Sequence, residues 1–252
     1  MVRPAAERAL ALDPSLPEAH VWLGILASTY EYDWAKAAEH FAGAVTSVPV
    51  SPLLRHMNAY FYLRFVARAD EAVAEHRRAL QEDPLNLIIR VGLVLSLYSA
   101  ARHREATDES HRLLELAPDF PGAYSLHALD VLTEPPLAAR AFAERLHAVG
   151  PQTAGSVGLL AGVLRRGGDE DRAAALMREV ADSDEYGNAV DHALYALVGG
   201  DIDSAFDAMA TLVEQRHPLL MMVIVGGPYA AMLRSSPRWP EFARTIGLPP
   251  SP

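Results

Sequence analysis

The stretch His20–Pro49, HVWLGILASTYEYDWAKAAEHFAGAVTSVP, contains the pattern that decides the fold. An apolar segment around Leu23 is separated from a second segment by the polar and aromatic step Glu31–Trp34. The second segment has small and aromatic residues at helical spacing, at Ala37, Phe41 and Ala44. Residues four and seven apart share one face of a helix, and proline disrupts a helix that it enters. The stretch therefore predicts two helices joined by a tight turn and followed by an exit at Pro49.

The same pattern recurs along the chain with a period near 34 residues. Prolines that follow a second helix occur at Pro14, Pro49, Pro84, Pro118 and Pro151, with spacings of 35, 35, 34 and 33. Small residues that allow close helix contacts recur at Ala37, Ala72, Ala106, Ala139, Ala173 and Ala205. Glycine pairs followed by aspartate predict the turn between helices at Gly167–Asp169 and Gly199–Asp201. This periodicity predicts stacked helix–turn–helix repeats.

The repeating unit resembles the tetratricopeptide repeat (TPR). His20–Pro49 is the best match, and it carries the family's signature residues at Leu23-Gly24, Ala37-x-x-x-Phe41, Ala44 and Pro49. His20 stands where the family usually has tryptophan, and the unit 121–151 departs further, with Pro135-Pro136 in its turn. The resemblance implies an all-α fold, a right-handed α-solenoid of TPR helix-turn-helix repeats.

We expect three parts along the chain. Residues 1–14 are predicted to be the orphan second helix of a truncated repeat, because Ala6, Ala9 and Pro14 have second-helix spacing. Residues 15–218 are predicted to hold about six TPR or TPR-like repeats. Residues 219–252 are predicted to form a C-terminal capping segment. Leu219–Val225 is predicted to be a short capping helix, and the alternative by residue propensity is a strand.

The C-terminal sequence narrows the resemblance. The tail Leu233–Pro249, LRSSPRWPEFARTIGLP, and the step Glu31–Trp34 resemble the C-terminal TPR modules of bacterial signalling proteins. In those proteins a Ser/Thr kinase, a nucleotide cyclase or a winged-helix DNA-binding domain precedes the repeats. The resemblance implies that this chain belongs to a larger signalling or regulatory protein.

Composition and charge argue against several classes of partner. The net charge of −10 is the opposite of the basic footprint that nucleic-acid binding needs, and it disfavours anionic membranes. The apolar run Leu219–Val225 is far shorter than the roughly 20 residues that span a bilayer. The N-terminus lacks the apolar region of a signal peptide, and cysteine is absent. These features favour a cytoplasmic protein that binds neither nucleic acid nor membrane.

The sequence contains no recognisable motif for catalysis, metal binding or phosphate binding. None of the ten histidines has the spacing of a metal site, and we expect His76 and His111, at equivalent repeat positions, to be partly exposed. Arg165–Asp169 lacks the Lys-Ser/Thr pair of a phosphate loop. We therefore expect no catalytic residue, metal, cofactor or small-molecule substrate, although an enzyme of unrecognised type remains an alternative because triads are spatial.

The resemblance implies that the first helix of each repeat lines a concave face that binds ligand. The residues at these positions are Val21, Ile25, Met57, Phe61, Phe65, Val91, Leu95 and Tyr98. We expect Phe61, Phe65 and Tyr98 to form part of an exposed apolar patch; the alternative is that these side chains only pack against neighbouring repeats.

The sequence thus favours a protein–protein interaction module that binds an apolar or amphipathic segment in its groove. The alternative is a stand-alone subunit of a cell-envelope or secretion complex.

Overall fold

The computed structural model describes residues 2–46, 49–120, 122, 126, 132, 135–150, 153–181, 187–225 and 227–249. Every regular element in these ranges is a helix. The first seven α-helices are α1 (Val2–Leu12), α2 (Pro17–Leu26), α3 (Trp34–Ala44), α4 (Pro52–Asn58), α5 (Ala69–Glu82), α6 (Leu87–Ser99) and α7 (His103–Leu116). Two π-helical segments, Ala27–Glu31 and Ala59–Leu63, directly continue α2 and α4. The others are α8 (Pro136–Val149), α9 (Ser156–Arg166), α10 (Glu170–Ala181), α11 (Asn188–Gly199), α12 (Ile202–Glu214), α13 (Leu220–Val225), α14 (Gly227–Ser235) and α15 (Trp239–Thr245).

The predicted fold class is confirmed: the chain is an all-α array of TPR-like helix–turn–helix repeats. Helices that follow one another in the chain pack together, as α2 does with α3 and α11 with α12. First helices of successive repeats also pack, as α9 does with α11. The helix predicted at Leu219–Val225 is present as α13. Most of the first half of the predicted unit 121–151, and Pro151 itself, lie outside the described residues.

Two compact units make up the chain. One unit contains residues up to Glu109 together with residues from Pro240 onwards, and the other contains Ser110–Trp239. The predicted capping segment is therefore divided between the two units. Its capping role stays a prediction, as does the role of α1 as the second helix of a truncated repeat.

A recurring hydrogen-bonded turn ends the first helices. At the end of α11, Gly200 has a φ of +79°, its N–H donates to the carbonyl of Leu197, and the N–H of Asp201 donates to that of Ala196. This is a Schellman motif, in which a left-handed residue satisfies the last carbonyl groups of a helix. The carboxylate of Asp201 then accepts the N–H of Ser204 and begins α12.

In the first unit the same turn is built without glycine. Ala101 has a φ of +56°, its N–H donates to Tyr98, and the N–H of Arg102 donates to Leu97. Ala67 has a φ of +58° in the preceding repeat. An L-residue with a Cβ is disfavoured in this conformation, so these alanine turns are strained where the glycine turns are not.

Small residues lie where the helices meet. All six of the recurrent alanines are buried, and four of them, Ala37, Ala72, Ala106 and Ala205, have no exposed surface. A Cβ on Gly24 would lie 3.0 Å from the ring of Phe41, which explains the Leu-Gly pair of the first helix. A Cβ on Gly158 of α9 would overlap the backbone of Asp191 in α11. The period in the sequence therefore reflects the points of closest helix contact.

Asp191 also joins α9 to α11 in the second unit. Its buried carboxylate accepts the N–H of Gly158 at 2.8 Å, in the first turn of α9. Burial raises the pKa of this carboxyl group, and hydrogen bonds from the backbone N–H groups of residues 155, 157 and 158 oppose that rise. The carboxylate thus satisfies N–H groups that the first turn of a helix leaves without partners.

The C-terminal tail packs against the first repeat turn within the first unit. The indole Nε1 of Trp34 donates to the carbonyl of Ile246 at 2.9 Å. A Cβ on Gly247, which has a φ of +60°, would lie 2.6 Å from the carbonyl oxygen of Tyr32. The step Glu31–Trp34 and the tail, which the sequence singled out separately, are therefore in contact.

The strain at the alanine turns leads to a first prediction. We expect Ala101→Gly to raise the free energy of unfolding by about 0.5–1 kcal/mol, since relief of the left-handed strain exceeds the added entropy of the unfolded chain. Gly200→Ala, the matched reverse change, should lower it by about 1 kcal/mol. Urea unfolding measures both, and a fall in stability for Ala101→Gly would contradict the strain.

The tail contact leads to a second prediction. Trp34→Phe keeps a ring in place but leaves the carbonyl of Ile246 without its donor, so we expect a loss of about 1–3 kcal/mol in stability. Hydrogen exchange should also become faster in residues 239–248. Trp22→Phe changes an exposed indole and is the control. Equal effects of the two substitutions would show that the tail does not depend on this bond.

Candidate protein-binding surface

The eight predicted groove residues divide into two sets. Ile25, Met57, Phe61 and Val91 are half-buried, whereas Val21, Phe65, Leu95 and Tyr98 are buried. The expectation that Phe65 and Tyr98 are exposed is therefore wrong. The ring of Phe65 packs at 5.4 Å from that of Trp34, and the ring of Tyr98 lies 6.0 Å from that of His103. Leu95 belongs to the run 92–98 of α6, in which every residue is buried, so this part of the helix has no open face.

Other apolar residues of the first helices are exposed instead. Their side chains are about half accessible to solvent: Trp22 49%, Tyr30 54%, Leu53 53% and Ile88 52%. Leu53 precedes Met57 by four residues and Ile88 precedes Val91 by three, so each pair shares one helical face. We call the set Trp22, Tyr30, Leu53, Met57, Phe61, Ile88 and Val91 the first-helix surface.

The repeat period supplies a signal that would have found Trp22. Trp22, Met57 and Val91 are 35 and 34 residues apart and occupy equivalent positions in three repeats. The predicted groove contains Met57 and Val91 but has Val21 in the first repeat, one position away. Because one residue turns a helix by about 100°, that shift exchanges an exposed side chain for a buried one.

Polar pairs hold the two helices of each repeat together in the first unit. Arg55 pairs with Glu75 at 2.9 Å, and Arg90 pairs with Glu109 at 2.8 Å. The equivalent positions in the first repeat hold His20 and His40, whose Nδ1 atoms are 3.2 Å apart. These pairs are structural, because both partners are engaged with each other.

A buried histidine pair lies between α4, α5 and α6. His76 Nδ1 lies 2.9 Å from the carbonyl of Ala72, which can only accept, so Nδ1 carries the proton. His76 Nε2 then accepts from His56 Nδ1 at 3.0 Å. A Cβ on Gly92 would overlap His76, so glycine is needed on α6. The expectation that His76 is partly exposed is wrong, because it is fully buried, while His111 is exposed.

Burial keeps both imidazoles neutral. It lowers the pKa of His56 to about 4, with a further contribution from the Arg64 guanidinium. Burial also holds the pKa of His76 well below its usual range, with His56 and Arg64 adding to the effect. Protonation of either ring would place a second positive charge beside Arg64 in a buried site.

Arg64 is the most buried cation of the first unit, with 5% of its surface exposed. Its Nε donates to the carbonyl of Tyr60 at 3.0 Å, and its guanidinium carbon lies 4.5 Å from the ring centre of Tyr60 and 5.0 Å from that of Phe65. Neither terminal nitrogen has a hydrogen-bond partner among the described residues. Burial lowers the pKa of Arg64 to about 10, so it stays charged at neutral pH.

A separate pocket of about 550 Å³ lies among α3, α4 and α5. Its lining combines apolar residues such as Phe41 with Arg55, Arg68, Glu71 and Glu75. These charges are already paired with one another, Arg55 with Glu75 and Arg68 with Glu71. In the ranges that the structure covers, no three His, Asp or Glu side chains gather as a metal site, and no helix has the length and apolarity to cross a bilayer.

Comparison with known proteins bears on the fold. No family model and no curated protein matches this chain. Among solved structures, the chain is similar to PilF of Pseudomonas aeruginosa, a TPR-containing protein, with a TM-score of 0.56 and 18% identity. The match covers 92% of this chain and 98% of PilF. At this identity the likeness supports the TPR-like repeat fold and does not extend to function.

The histidine pair leads to a third prediction. In the folded state both pKa values are depressed, so unfolding takes up protons and stability falls as pH drops below about 6.5. Each histidine should contribute up to about 1.4 kcal/mol per pH unit as the pH falls from 6.5 to 5, before carboxylates titrate. We expect His56→Gln to reduce this slope by about one proton. Parallel slopes for the wild type and this variant, measured by urea unfolding, would contradict the assignment.

Proposed function

We propose that the chain is a protein-binding repeat module that takes an apolar or amphipathic segment of a partner on its first-helix surface. The observation that supports this proposal most is the exposure of Trp22, which occupies the position of Met57 and Val91 in the next two repeats. A half-exposed tryptophan beside half-buried aliphatic side chains has the composition of a binding hot spot. The TPR-like fold supports this by analogy.

The chemistry of the surface indicates the kind of segment that would bind. The seven residues of the first-helix surface are all apolar or aromatic and none is charged. An amphipathic helix presents side chains three, four and seven apart along one face and could contact successive repeats in turn. Ile25 and the buried Val21 pack in one apolar cluster with Met57 of this surface.

We also infer a scaffold without catalytic activity, placed within a larger bacterial signalling or regulatory protein in the cytoplasm. The support is the resemblance of the tail and of the step Glu31–Trp34 to such modules. A subunit of a cell-envelope or secretion complex is the alternative, and the reading frame upstream of Met1 distinguishes them. A kinase, cyclase or winged-helix domain favours the first, and a signal peptide favours the second.

The proposal predicts which substitutions abolish binding. We expect Trp22→Ala with Met57→Ala to weaken capture of partners by at least about thirtyfold, the equivalent of the 2 kcal/mol that marks a hot spot. Because both side chains are partly exposed, the fold should persist. Leu137→Ala removes an 81% exposed leucine of α8 and is the control.

Quantitative affinity capture with mass spectrometry measures the outcome. Partners that bind the wild type and the Leu137→Ala variant should be lost from the double variant. Retention of the same partners by a folded double variant would place the binding site elsewhere on the chain.

A further inference from the structure

Arg64 carries more polar groups than its structural role requires. In the preceding repeat the equivalent residue is Thr29, whose hydroxyl donates to the carbonyl of Ile25 at 2.7 Å. Arg64 makes the same contact through Nε, which donates to the carbonyl of Tyr60. A threonine therefore satisfies this position in one repeat, and the two terminal nitrogens of Arg64 are a surplus that the fold does not use.

The two terminal nitrogens of Arg64 lack hydrogen-bond partners in a buried site, where an unpaired charge destabilises the fold. The Nη1 and Nη2 atoms of Arg64 are buried and lack an acceptor in the described part of the chain. The less buried Arg55 and Arg90 of the same unit each pair with a glutamate. A buried charge without a counter-charge destabilises the fold, and the contacts with the Tyr60 and Phe65 rings offset only part of that cost.

The surroundings of Arg64 favour an anion. The positive charge of Arg64 contributes to keeping the buried His56 and His76 neutral, so neither ring adds a second positive charge beside it. None of the carboxylates that the structure describes forms a salt bridge with Arg64, in contrast to Arg68, which pairs with Glu71 at 2.6 Å. A guanidinium binds a carboxylate through two parallel N–H donors, which are the groups left over here.

We propose that Arg64 is the receptor for an acidic side chain of the partner segment. The inference rests on the proposed function, because the segment that lies on the first-helix surface brings the carboxylate. Arg64 lies three residues after Phe61, directly after the π-helical segment Ala59–Leu63, so it belongs to the same end of the middle repeat. The first-helix surface extends into the repeats before and after that of Arg64, at Trp22 and Val91. A segment bound there would therefore continue in both directions from Arg64. A side chain of Asp or Glu, rather than a chain terminus, fits that placement.

The site determines which side chains the partner segment must carry. The segment carries apolar side chains for the first-helix surface and one carboxylate at the point that meets Arg64. Docking requires the half-buried Tyr60 to move, because both free nitrogens are covered in the unbound protein. Binding would then supply the counter-charge that the free protein lacks.

A small carboxylate tests the site without a partner. The probe is 3-phenylpropionate, which joins a carboxylate to an apolar ring, and its matched control is the uncharged 3-phenylpropanamide. We expect the acid, but not the amide, to raise the melting temperature and to shift the Nε–Hε resonance of Arg64 in nitrogen-15 NMR spectra. Arg64→Met, which keeps the apolar stem, should abolish the response to the acid, and Arg68→Met should retain it.

The free protein supplies a second measurement. Because the unpaired charge is removed, Arg64→Met should unfold at a higher temperature than the wild type. If Arg64→Met does not fold, Arg64→Thr reproduces the residue of the preceding repeat and takes its place. Equal responses to acid and amide, a response to the acid that survives loss of Arg64, or a lower melting temperature for both Arg64 variants would overturn the proposal.

The two proposals fail separately. Partner capture that depends on Trp22 and Met57 but is unchanged in Arg64→Met would leave the protein-binding surface intact and remove the carboxylate site. A carboxylate response at Arg64 with no partner on the first-helix surface would keep the carboxylate site and remove the protein-binding surface.

Discussion

Close contact between helices is the constraint on which this structure depends. A single helix pair cannot cover its own apolar face, so each repeat packs on the next, and the packing distance is set by the smallest side chains. Ala37, Ala72 and Ala205 have no exposed surface, and Gly158 has no room for a Cβ beside Asp191. The period of the sequence is the record of these contacts, which explains why the period survives where the aromatic signature of the family does not.

The two units end their first helices by the same hydrogen bonds but with different residues. Gly168 and Gly200 hold the left-handed position in one unit, and Ala67 and Ala101 hold it in the other. The turn is thus imposed by the packing of the helices that it joins, since alanine adopts this conformation only when the surroundings compensate for its strain. The glycine turns show the arrangement that local preference alone would give.

Most buried charged and titratable side chains inside the first unit have a polar partner, and Arg64 departs furthest from this pattern. Arg55 and Arg90 are paired with glutamates, and His56 and His76 satisfy each other and a backbone carbonyl. Arg64 is more deeply buried than either of the paired arginines, and its guanidinium group lies against the Tyr60 and Phe65 rings. Among their buried nitrogens, Arg55 and Arg90 each leave only Nε without a hydrogen bond, whereas Arg64 leaves both terminal nitrogens without one and has no counter-charge among the described residues. An unpaired buried charge of this kind is a candidate ligand site.

The sequence alone determined the fold class, the repeat period, the glycine turns and the buried alanines, because each depends on local spacing and on conformational preference. The tertiary structure decided which face of each first helix stays open. A register shift of one residue moved the exposed position from Val21 to Trp22, and the packing of Phe65 on Trp34 buried a ring that local spacing could not distinguish from its neighbours. Contact between the tail and the first turn joins Ile246 to Trp34 across 212 residues, and the isolation of Arg64 depends on which side chains surround it. Such contacts join residues that are distant in sequence, and no periodic pattern encodes them.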